Sequence, residues 1–422
     1  MLFVLLAIGM PIAFAMIVTA FAGLVAVGSF TGAMIQLGIT PYAQVASYTM
    51  STIPLFILMG SLAFASGLTT DAYQAAYRWV GFLPGGLAMA TIGACAGFAA
   101  CTGSSIASIG VMTQVSLPEM LRYKYDPRLA TGCIAGGTTL GILIPPSIPI
   151  IVYGIFAESS IGKLFIAAIL PGLLLTGLFL LGIYVLVKAR PLMGPPGPKA
   201  TWSERFDALK SIWALLILVV VILGGIWGGI FTPIEAGGFG AFAAFVITLV
   251  RRRFTKQSFA DSLRNSIRST GMVFTIMIGA IMFNYFLALS RLPFILAEFA
   301  AALPVPPVVI VIAIMFVYLI GGCLMDTLGL MVLTLPIFIP IVRDLGLDLI
   351  WFGVLTTIMT EMALITPPIG MNVFVLCGMS KDIPMYTVFR GILPFLLCMI
   401  ICLALLITFP QITLFLPSTM IG

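Results

Sequence analysis

Two stretches of the chain carry adjacent prolines inside apolar sequence. Residues 141–147 read Gly-Ile-Leu-Ile-Pro-Pro-Ser, and residues 365–370 read Ile-Thr-Pro-Pro-Ile-Gly. Adjacent prolines remove two backbone donors from a helix and free carbonyl groups one turn earlier. At membrane depth such groups persist only where protein or a wet cavity covers them. Both stretches therefore predict broken helices, over residues 130–158 and 350–378.

An internal repeat becomes visible when the chain is shifted against itself by the separation of the two proline pairs. Without a gap, the shift also superposes four further pairs, which are Pro84 with Pro306, Cys101 with Cys323, Pro118 with Pro340 and Asp126 with Asp348. In each copy an apolar run is interrupted midway, at Cys101–Ser108 and at Gly321–Thr327. These interruptions predict two re-entrant helical hairpins with functional tips, over residues 85–120 and 307–340.

The composition places the chain in a membrane. Of its 422 residues, 61% are hydrophobic and 8% are charged, against about 25% charged in soluble domains. The sequence contains no histidine, the usual general base and the commonest metal ligand. A soluble enzyme, a nucleic-acid binder, a disordered tail and a secreted disulfide scaffold are therefore excluded.

Apolar segments and basic residues together predict the topology. Nine spans are expected, up to about Phe30 and at 45–66, 130–158, 163–187, 211–231, 234–250, 271–290, 350–378 and 388–410. The loops at 67–84, 121–128, 188–210, 251–270 and 379–387, with Arg390, hold every Lys and Arg except Lys163, Arg291 and Arg343. Basic loops stay in the cytoplasm, so the chain is expected to begin inside and end outside.

This topology makes the repeats inverted, because the spans at 45–66 and 271–290 run in opposite directions. The predicted organisation is an N-terminal scaffold (1–44), repeat 1 (45–187), central scaffold helices with amphipathic segments at 202–212 and 255–268 (188–270), repeat 2 (271–410) and a tail (411–422). Inverted repeats with broken helices are typical of secondary transporters, whose site lies near the midplane. The expected fold is an all-α polytopic transporter.

Polar groups at the tips and breaks are the candidate site residues. Ser104, Ser105 and Ser108 supply hydroxyl oxygens that suit a cation, although such small residues also pack helices tightly. Asp326 lies in an apolar stretch, where a charge costs at least about 2.5–3.5 kcal/mol. It is predicted to bind or support a cation, or else to pair with freed amides. Glu361 can orient the second break or serve packing.

Three further residues remain open between a functional and a structural role. Thr366 and Asn372 are either ligand groups or ordinary interhelical hydrogen-bonding residues. Arg291 can pair with an anionic substrate, or it can anchor the end of a helix at the membrane surface.

Four motifs together resemble the large membrane subunit of TRAP transporters. They are the two proline stretches, Gly-Cys-Leu-Met-Asp-Thr at 322–327 and Ile-Pro-Leu-Phe-Ile-Leu-Met-Gly at 53–60. The resemblance covers nearly the whole chain. It implies sodium-coupled import of a small organic acid, such as a C4-dicarboxylate or sialic acid, across the bacterial inner membrane by an elevator motion. It also implies two partners, a small four-helix membrane subunit and a periplasmic binding protein.

The resemblance also assigns site residues by position. One sodium ion would be held by Ser104, Ser105, Ser108, Gly141, Ile144 and Pro146. The other would be held by Gly322, Asp326, Thr327, Thr360, Thr366 and Pro368. Apart from the resemblance, the tips are expected to create a substrate site between them, with Ser105, Asp326, Arg291 and Asn372 as its candidate residues. Because the chain begins directly with an apolar segment, the small subunit is expected to be a separate polypeptide.

Three alternatives make different predictions. A stand-alone ion-coupled anion transporter, of the dicarboxylate or arsenite type, would have the same architecture but need no binding protein. A membrane-embedded enzyme needs a nucleophile with a base, or metal ligands, and the sequence offers no such set. A passive channel needs a continuous polar stripe, whereas the sequence has two isolated polar patches.

Overall fold

The computed structural model describes residues 1–380 and 382–420, without the side chains of residues 100–102. Residues 101 and 102 of the predicted tip Cys101–Ser108 are thus described by their backbone alone. Regular structure in the described part of the chain is helical. The predicted all-α fold class is confirmed.

Three helices precede the first repeat, namely α1 (Leu2–Ala7), α2 (Ile12–Val27) and α3 (Phe30–Val45). The sequence predicted a single apolar segment up to about Phe30, and the structure divides it. Pro11 is the N-cap of α2, since proline has no N–H to donate within a helix. Ser29 caps α3 by accepting a hydrogen bond from the Gly32 amide at 3.1 Å.

The first repeat consists of α4 (Thr52–Ala65), α5 (Leu68–Val80), α6 (Gly86–Thr102), α7 (Ser105–Val115), α8 (Leu117–Arg122), α9 (Pro127–Thr138), α10 (Leu140–Leu143), α11 (Ile148–Phe156) and α12 (Ile161–Ala189). The first predicted hairpin corresponds to α6 with α7 and α8. The first broken helix corresponds to α9–α11, whose two halves meet at an angle of 43°.

The central segment consists of α13 (Trp202–Ser211), α14 (Trp213–Trp227) and α15 (Pro233–Val250). The amphipathic segment predicted at 202–212 forms α13, which meets α14 at 50°. Thr201 and Glu204 form a capping box that fixes where α13 begins.

The second repeat consists of α16 (Lys256–Ser290), α17 (Leu292–Ala302), α18 (Pro307–Gly322), α19 (Thr327–Asp344), α20 (Leu349–Ile365), α21 (Met371–Met379) and α22 (Met385–Thr408). The second hairpin corresponds to α18 with α19, and the second broken helix to α20 with α21. The chain continues into α23 (Gln411–Ser418), where the sequence predicted a tail. This helix forms because it packs against α12 and α20.

The structure places equivalent helix starts in the register found in the sequence. Ser104 caps α7 and Asp326 caps α19, and each accepts a hydrogen bond from the backbone amide three residues later, at 3.5 and 3.3 Å. Asp126 and Asp348 likewise cap the broken helices α9 and α20. The capping residue of a helix fixes where it starts. The repeat is therefore a repeat of three-dimensional structure as well as of sequence.

The observed fold differs from the prediction in one long helix. The segment at 255–268, expected to be a separate interfacial helix, is the first part of α16, which runs unbroken for 35 residues. No glycine or proline occurs between Lys256 and Thr270 to end it. At 1.5 Å per residue it is about 50 Å long, well beyond a ~30 Å hydrocarbon core.

The helices pack into two groups that meet along the hairpins. On one side α16 packs against α2 and α4, and α4 packs against α15. On the other side α9 packs against α6 and α22, while α12 packs against α20 and α22. The groups meet where α16 contacts α19 and α4 contacts α6. Within the described ranges, six helices are long and apolar enough to cross a membrane, and eight if each bent pair is one span.

Candidate functional site

The first hairpin tip and the first helix break lie against each other. The helix α6 ends at Gly103, which has a left-handed φ of 55°, and Ser104 then caps α7. The Ser108 hydroxyl donates to the Ser104 carbonyl oxygen at 2.8 Å. A methyl group on Gly141 would lie 3.1 Å from Ser108 Oγ, and one on Gly103 would lie 3.2 Å from the Pro146 carbonyl oxygen. Hydroxyl and carbonyl oxygens are thus gathered here.

The second tip approaches the second break in the same way. The sulfur of Cys323 lies 3.5 Å from the carbonyl oxygen of Pro367. A methyl group on Gly322 would lie 2.5 Å from a side chain of α20, so only glycine permits this approach. Asp326 caps α19 with its carboxylate. The second tip therefore carries a carboxylate where the first tip carries the Ser104 hydroxyl.

The remaining predicted ligands lie on the broken helices. Ile144 and Thr366 are the equivalent extended residues at which α10 and α20 end. The hydroxyls of Thr360 and Thr366 donate to backbone carbonyls of α20, at 3.0 and 2.6 Å. A hydroxyl that donates one hydrogen bond can still accept from a ligand or bind a cation. Pro146 is buried, whereas Pro368 is exposed, so the second break is the more open one.

One buried carboxylate lies between the two tips. Glu361 of α20 is 1% exposed, and Thr327 of α19 donates a hydrogen bond to its Oε1 at 3.0 Å. Ser105 of α7 also interacts with this carboxylate through its side chain. Ser105 and Thr327 are the first helical residues after the two caps, so they are equivalent in the repeat. Glu361 is therefore the hydrogen-bond acceptor of Thr327 at the second tip, and its Oε2 has no hydrogen-bond partner among the described residues.

A cavity of about 760 Å³ lies between the tips and α16. Ser104, Ser105, Asp326 and Thr327 line it from the tips. The opposite wall is a polar face of α16, made of Ser258, Asp261, Ser262, Asn265, Arg268 and Ser269. The cavity has the size of a small-ligand site. Its position puts a ligand in contact with both hairpins at once.

The structure separates the four residues predicted to bind substrate. Ser105 and Asp326 line the cavity. Arg291 does not line it, and lies instead at the exposed end of α16 with a left-handed φ of 57°. Asn372 also lies outside the lining. It is fully buried in the first turn of α21, and neither its amide oxygen nor its amide nitrogen has a hydrogen-bond partner among the described residues.

Comparison with known proteins identifies the family of the chain. Over residues 1–412 the sequence matches the model of a family described as "Tripartite ATP-independent periplasmic transporter, DctM component". The chain belongs to this family. As a TRAP large permease subunit it is a multi-pass bacterial membrane protein and a transporter, not an enzyme. The resemblance noted from the four motifs is confirmed.

Two relatives of this TRAP permease support the assignment, and one solved structure shares its fold. The sialic acid TRAP transporter large permease protein SiaM of Vibrio cholerae is 34% identical, over 99% of this chain and 97% of that protein. The C4-dicarboxylate TRAP transporter large permease protein DctM of Pseudomonas aeruginosa is 35% identical, over 88% and 86%. The YdaH transporter of Alcanivorax borkumensis superposes with a TM-score of 0.66 at 16% identity, over 89% of this chain and 88% of that one. The last comparison shows the shared fold.

The sequence analysis did not predict that a polar face of α16 forms one wall of the cavity in this TRAP permease. Arg268 lies on that wall, and the sequence pointed to Arg291 as the candidate anion partner instead. The available signal was the spacing of polar residues from 258 to 269, in steps of one and three, which is that of one helix face. The pattern was interpreted as an interfacial helix, because its continuity with the following span is not visible from polarity alone.

Proposed function

We propose that this TRAP permease imports a small organic acid together with sodium ions. The observation that carries the proposal is the convergence of two equivalent hairpin tips on one cavity. Each tip presents a capped helix start, at Ser104 and Asp326, next to the carbonyls of a broken helix. Helix starts favour anionic groups, and hydroxyl and carbonyl oxygens favour hard cations. A carboxylate and two cations can therefore be bound side by side.

The donor sets fit sodium at both tips. The first set offers the neutral oxygens of Ser104, Ser105 and Ser108 with the backbone near Gly141, Ile144 and Pro146. The second set adds the carboxylate of Asp326 to Thr327, Thr360 and Thr366, with the backbone near Gly322 and Pro368. One carboxylate at the tips suits a monovalent ion better than calcium, which takes six to eight oxygens and usually several carboxylates.

The proposed cycle moves the hairpins as one body. Sodium binding ties each tip to its broken helix, and the substrate then occupies the space between the tips. The body made of hairpins and broken helices shifts against the scaffold that contains α16, as in an elevator. Glu361 holds the second tip against α20 during this movement, because it accepts a hydrogen bond from Thr327.

The proposed partners are a small four-helix membrane subunit and a soluble periplasmic binding protein, which delivers the substrate. Relatives are named for different substrates, among them sialic acid and C4-dicarboxylates. We propose an organic acid of this kind. The alternative is a stand-alone ion-coupled anion transporter that needs no binding protein.

Uptake into proteoliposomes tests the proposal. The permease and its small partner are reconstituted, and labelled succinate or N-acetylneuraminate is added with and without a sodium gradient and a matching binding protein. Uptake that needs both is expected. Uptake driven by the gradient without the binding protein would support the stand-alone transporter instead. Uptake of the same size without sodium would refute the sodium coupling.

Two variants test whether the second tip takes part in sodium coupling. Asp326→Ala is expected to abolish sodium-driven uptake while the protein still inserts in the membrane, because it removes the carboxylate of the second tip. Asp207→Asn is the matched control, since Asp207 is an exposed carboxylate on α13 outside the cavity. Normal sodium-dependent uptake by the Asp326 variant would contradict the assignment of the second tip.

A further inference from the structure

In the described part of the chain, the cavity is lined by one positively charged side chain, which belongs to α16 and not to the hairpins. The charged residues among its described lining residues are Asp261, Arg268 and Asp326. Asp261 is already engaged, because it pairs with Arg264 at 3.4 Å and accepts hydrogen bonds from the Gln257 amide at 3.1 and 3.2 Å. Arg268 forms no ion pair with any described residue, and it is exposed to the cavity.

The helix that carries Arg268 is held in place by α4, which meets it at the edge of the cavity. Ser266 donates to the hydroxyl of Ser61 on α4 at 3.2 Å, and Ser262 donates to the Ser61 carbonyl oxygen at 3.4 Å. These contacts fix the rotation of α16 about its own axis. The face with Asn265 and Arg268 is therefore directed at the cavity as a consequence of packing, and not because a ligand draws it there.

The chemistry of the proposed substrate requires such a group. An organic acid carries at least one carboxylate, and the tips present a carboxylate of their own, Asp326. An arginine offers a planar pair of N–H donors that matches a carboxylate in two parallel hydrogen bonds. In a cavity with low-dielectric walls its charge also attracts anions more strongly than in open water.

We infer that Arg268 forms a carboxylate-binding subsite on the scaffold wall of the cavity. This inference rests on the proposed function, because it names the group that receives the organic acid. Arg268 lies on α16, whereas Ser105, Asp326 and Thr327 lie on the hairpins. The subsite therefore exists only while the hairpins face this part of α16, and it is lost when they move away.

The open side of the cavity decides where the subsite acts. The cavity follows α16 from Ser258 to Val273, which is the half nearest Lys256 and the basic turn at 251–253. Basic turns lie on the cytoplasmic side of a membrane. Arg268 thus holds the substrate on its way to the cytoplasm. It affects binding from inside, and leaves binding from the periplasmic side unchanged.

Measurements from both sides of the membrane test the inference. Proteoliposomes with the permease oriented one way are loaded with whichever acid, succinate or N-acetylneuraminate, the wild-type protein takes up. The internal concentration that gives half-maximal efflux is measured, as is the external concentration that gives half-maximal uptake. Arg268→Gln is expected to raise the internal value about tenfold, as the loss of one charge-assisted contact implies, and to leave the external value within about twofold.

Two further variants separate a binding role from a structural one. Arg268→Lys keeps the charge without the planar fork and is expected to give an intermediate internal value. Lys256→Gln removes an exposed basic residue from the same helix outside the cavity and is expected to match the wild-type protein. Equal thermal midpoints for all variants show that the fold is intact.

The outcomes distinguish the inference from the proposed function. Sodium-driven uptake by the wild-type protein with unchanged efflux by Arg268→Gln would overturn the inference and leave the function standing. Equal changes on both sides of the membrane would overturn it as well, since a general packing defect acts that way. Absence of acid transport by the wild-type protein would overturn the proposed function itself, and the subsite with it.

Discussion

Two glycines allow the broken helix α9 and the last long helix α22 to cross with their backbones in contact. A methyl group on Gly132 would lie 2.1 Å from the carbonyl oxygen of Gly391, and one on Gly391 would lie 2.0 Å from that of Arg128. Ordinary contact begins at 3.4 Å, so Gly132→Ala must push the helices apart by more than an ångström. Small residues at such crossings are what lets helices approach closely in membranes.

Gly132→Ala is expected to lower the free energy of unfolding by an amount at the upper end of the range for overpacked sites. Inserting one methyl group into a packed interior costs about 1–3 kcal/mol, and here the obstacle is backbone, which cannot rotate away as a side chain can. We expect a loss of about 3 kcal/mol, which for a chain of this length corresponds to a drop of roughly 3 °C in the thermal unfolding midpoint. Tryptophan fluorescence during heating of the purified protein in detergent measures this midpoint.

A second glycine provides the control for this measurement. Gly177 lies in α12, and a methyl group there would meet no atom within 4 Å. Gly177→Ala is expected to leave the midpoint unchanged or raise it slightly, because alanine favours helix over glycine by about 1 kcal/mol. An unfolding midpoint for Gly132→Ala equal to that of Gly177→Ala would refute the argument, since only the crossing distinguishes the two positions.

Substitutions at three further positions are tested by thermal unfolding. Glu361→Ala should lower the free energy of unfolding by about 1–3 kcal/mol, because it leaves the Thr327 hydroxyl without an acceptor. Glu361→Gln keeps an acceptor and should lower it less. Equal losses for the two variants would argue against this hydrogen bond. Arg291→Gly should stabilise the protein by about 1 kcal/mol, because it relieves a left-handed residue. Uptake by this variant should be unchanged. A loss of uptake would instead indicate that Arg291 takes part in transport. Asp71→Asn breaks the largely buried ion pair with Arg251 and should cost about 1–3 kcal/mol, and reversing both charges should recover part of that loss.

The sequence predicts those parts of the fold that depend on local chemistry. Caps and adjacent prolines act within a few residues, so the hairpins, the broken helices and the register of the repeat follow from residue order alone. The family follows from the same motifs. Ser105 and Asp326 were singled out for the same reason, since both lie at the start of a hairpin's second helix, and both line the cavity.

Features that depend on packing between distant segments could not be predicted. Whether a polar segment at 255–268 lies along the membrane surface or continues into a span depends on what covers its other face. Here α2 and α4 pack against α16, and Ser61 of α4 accepts hydrogen bonds from Ser262 and Ser266. The choice between Arg268 and Arg291 follows from that packing, because a single long helix turns one of them toward the cavity and carries the other to its far end.

The turns after the two hairpins have the same backbone conformation but different residues. Lys124 and Gly346 are equivalent in the repeat, and both have left-handed backbones, with φ of 58° and 69°. Glycine adopts this conformation freely, whereas a lysine is disfavoured by about 1–2 kcal/mol. A basic residue beside an anionic cytoplasmic leaflet gains about 1 kcal/mol, which is of the same size. Arg122 and Asp344 differ in sign at the neighbouring equivalent position. If the repeats are inverted as the sequence predicts, exchanging a few turn residues of this kind is expected to favour the opposite orientation of one half without altering its core.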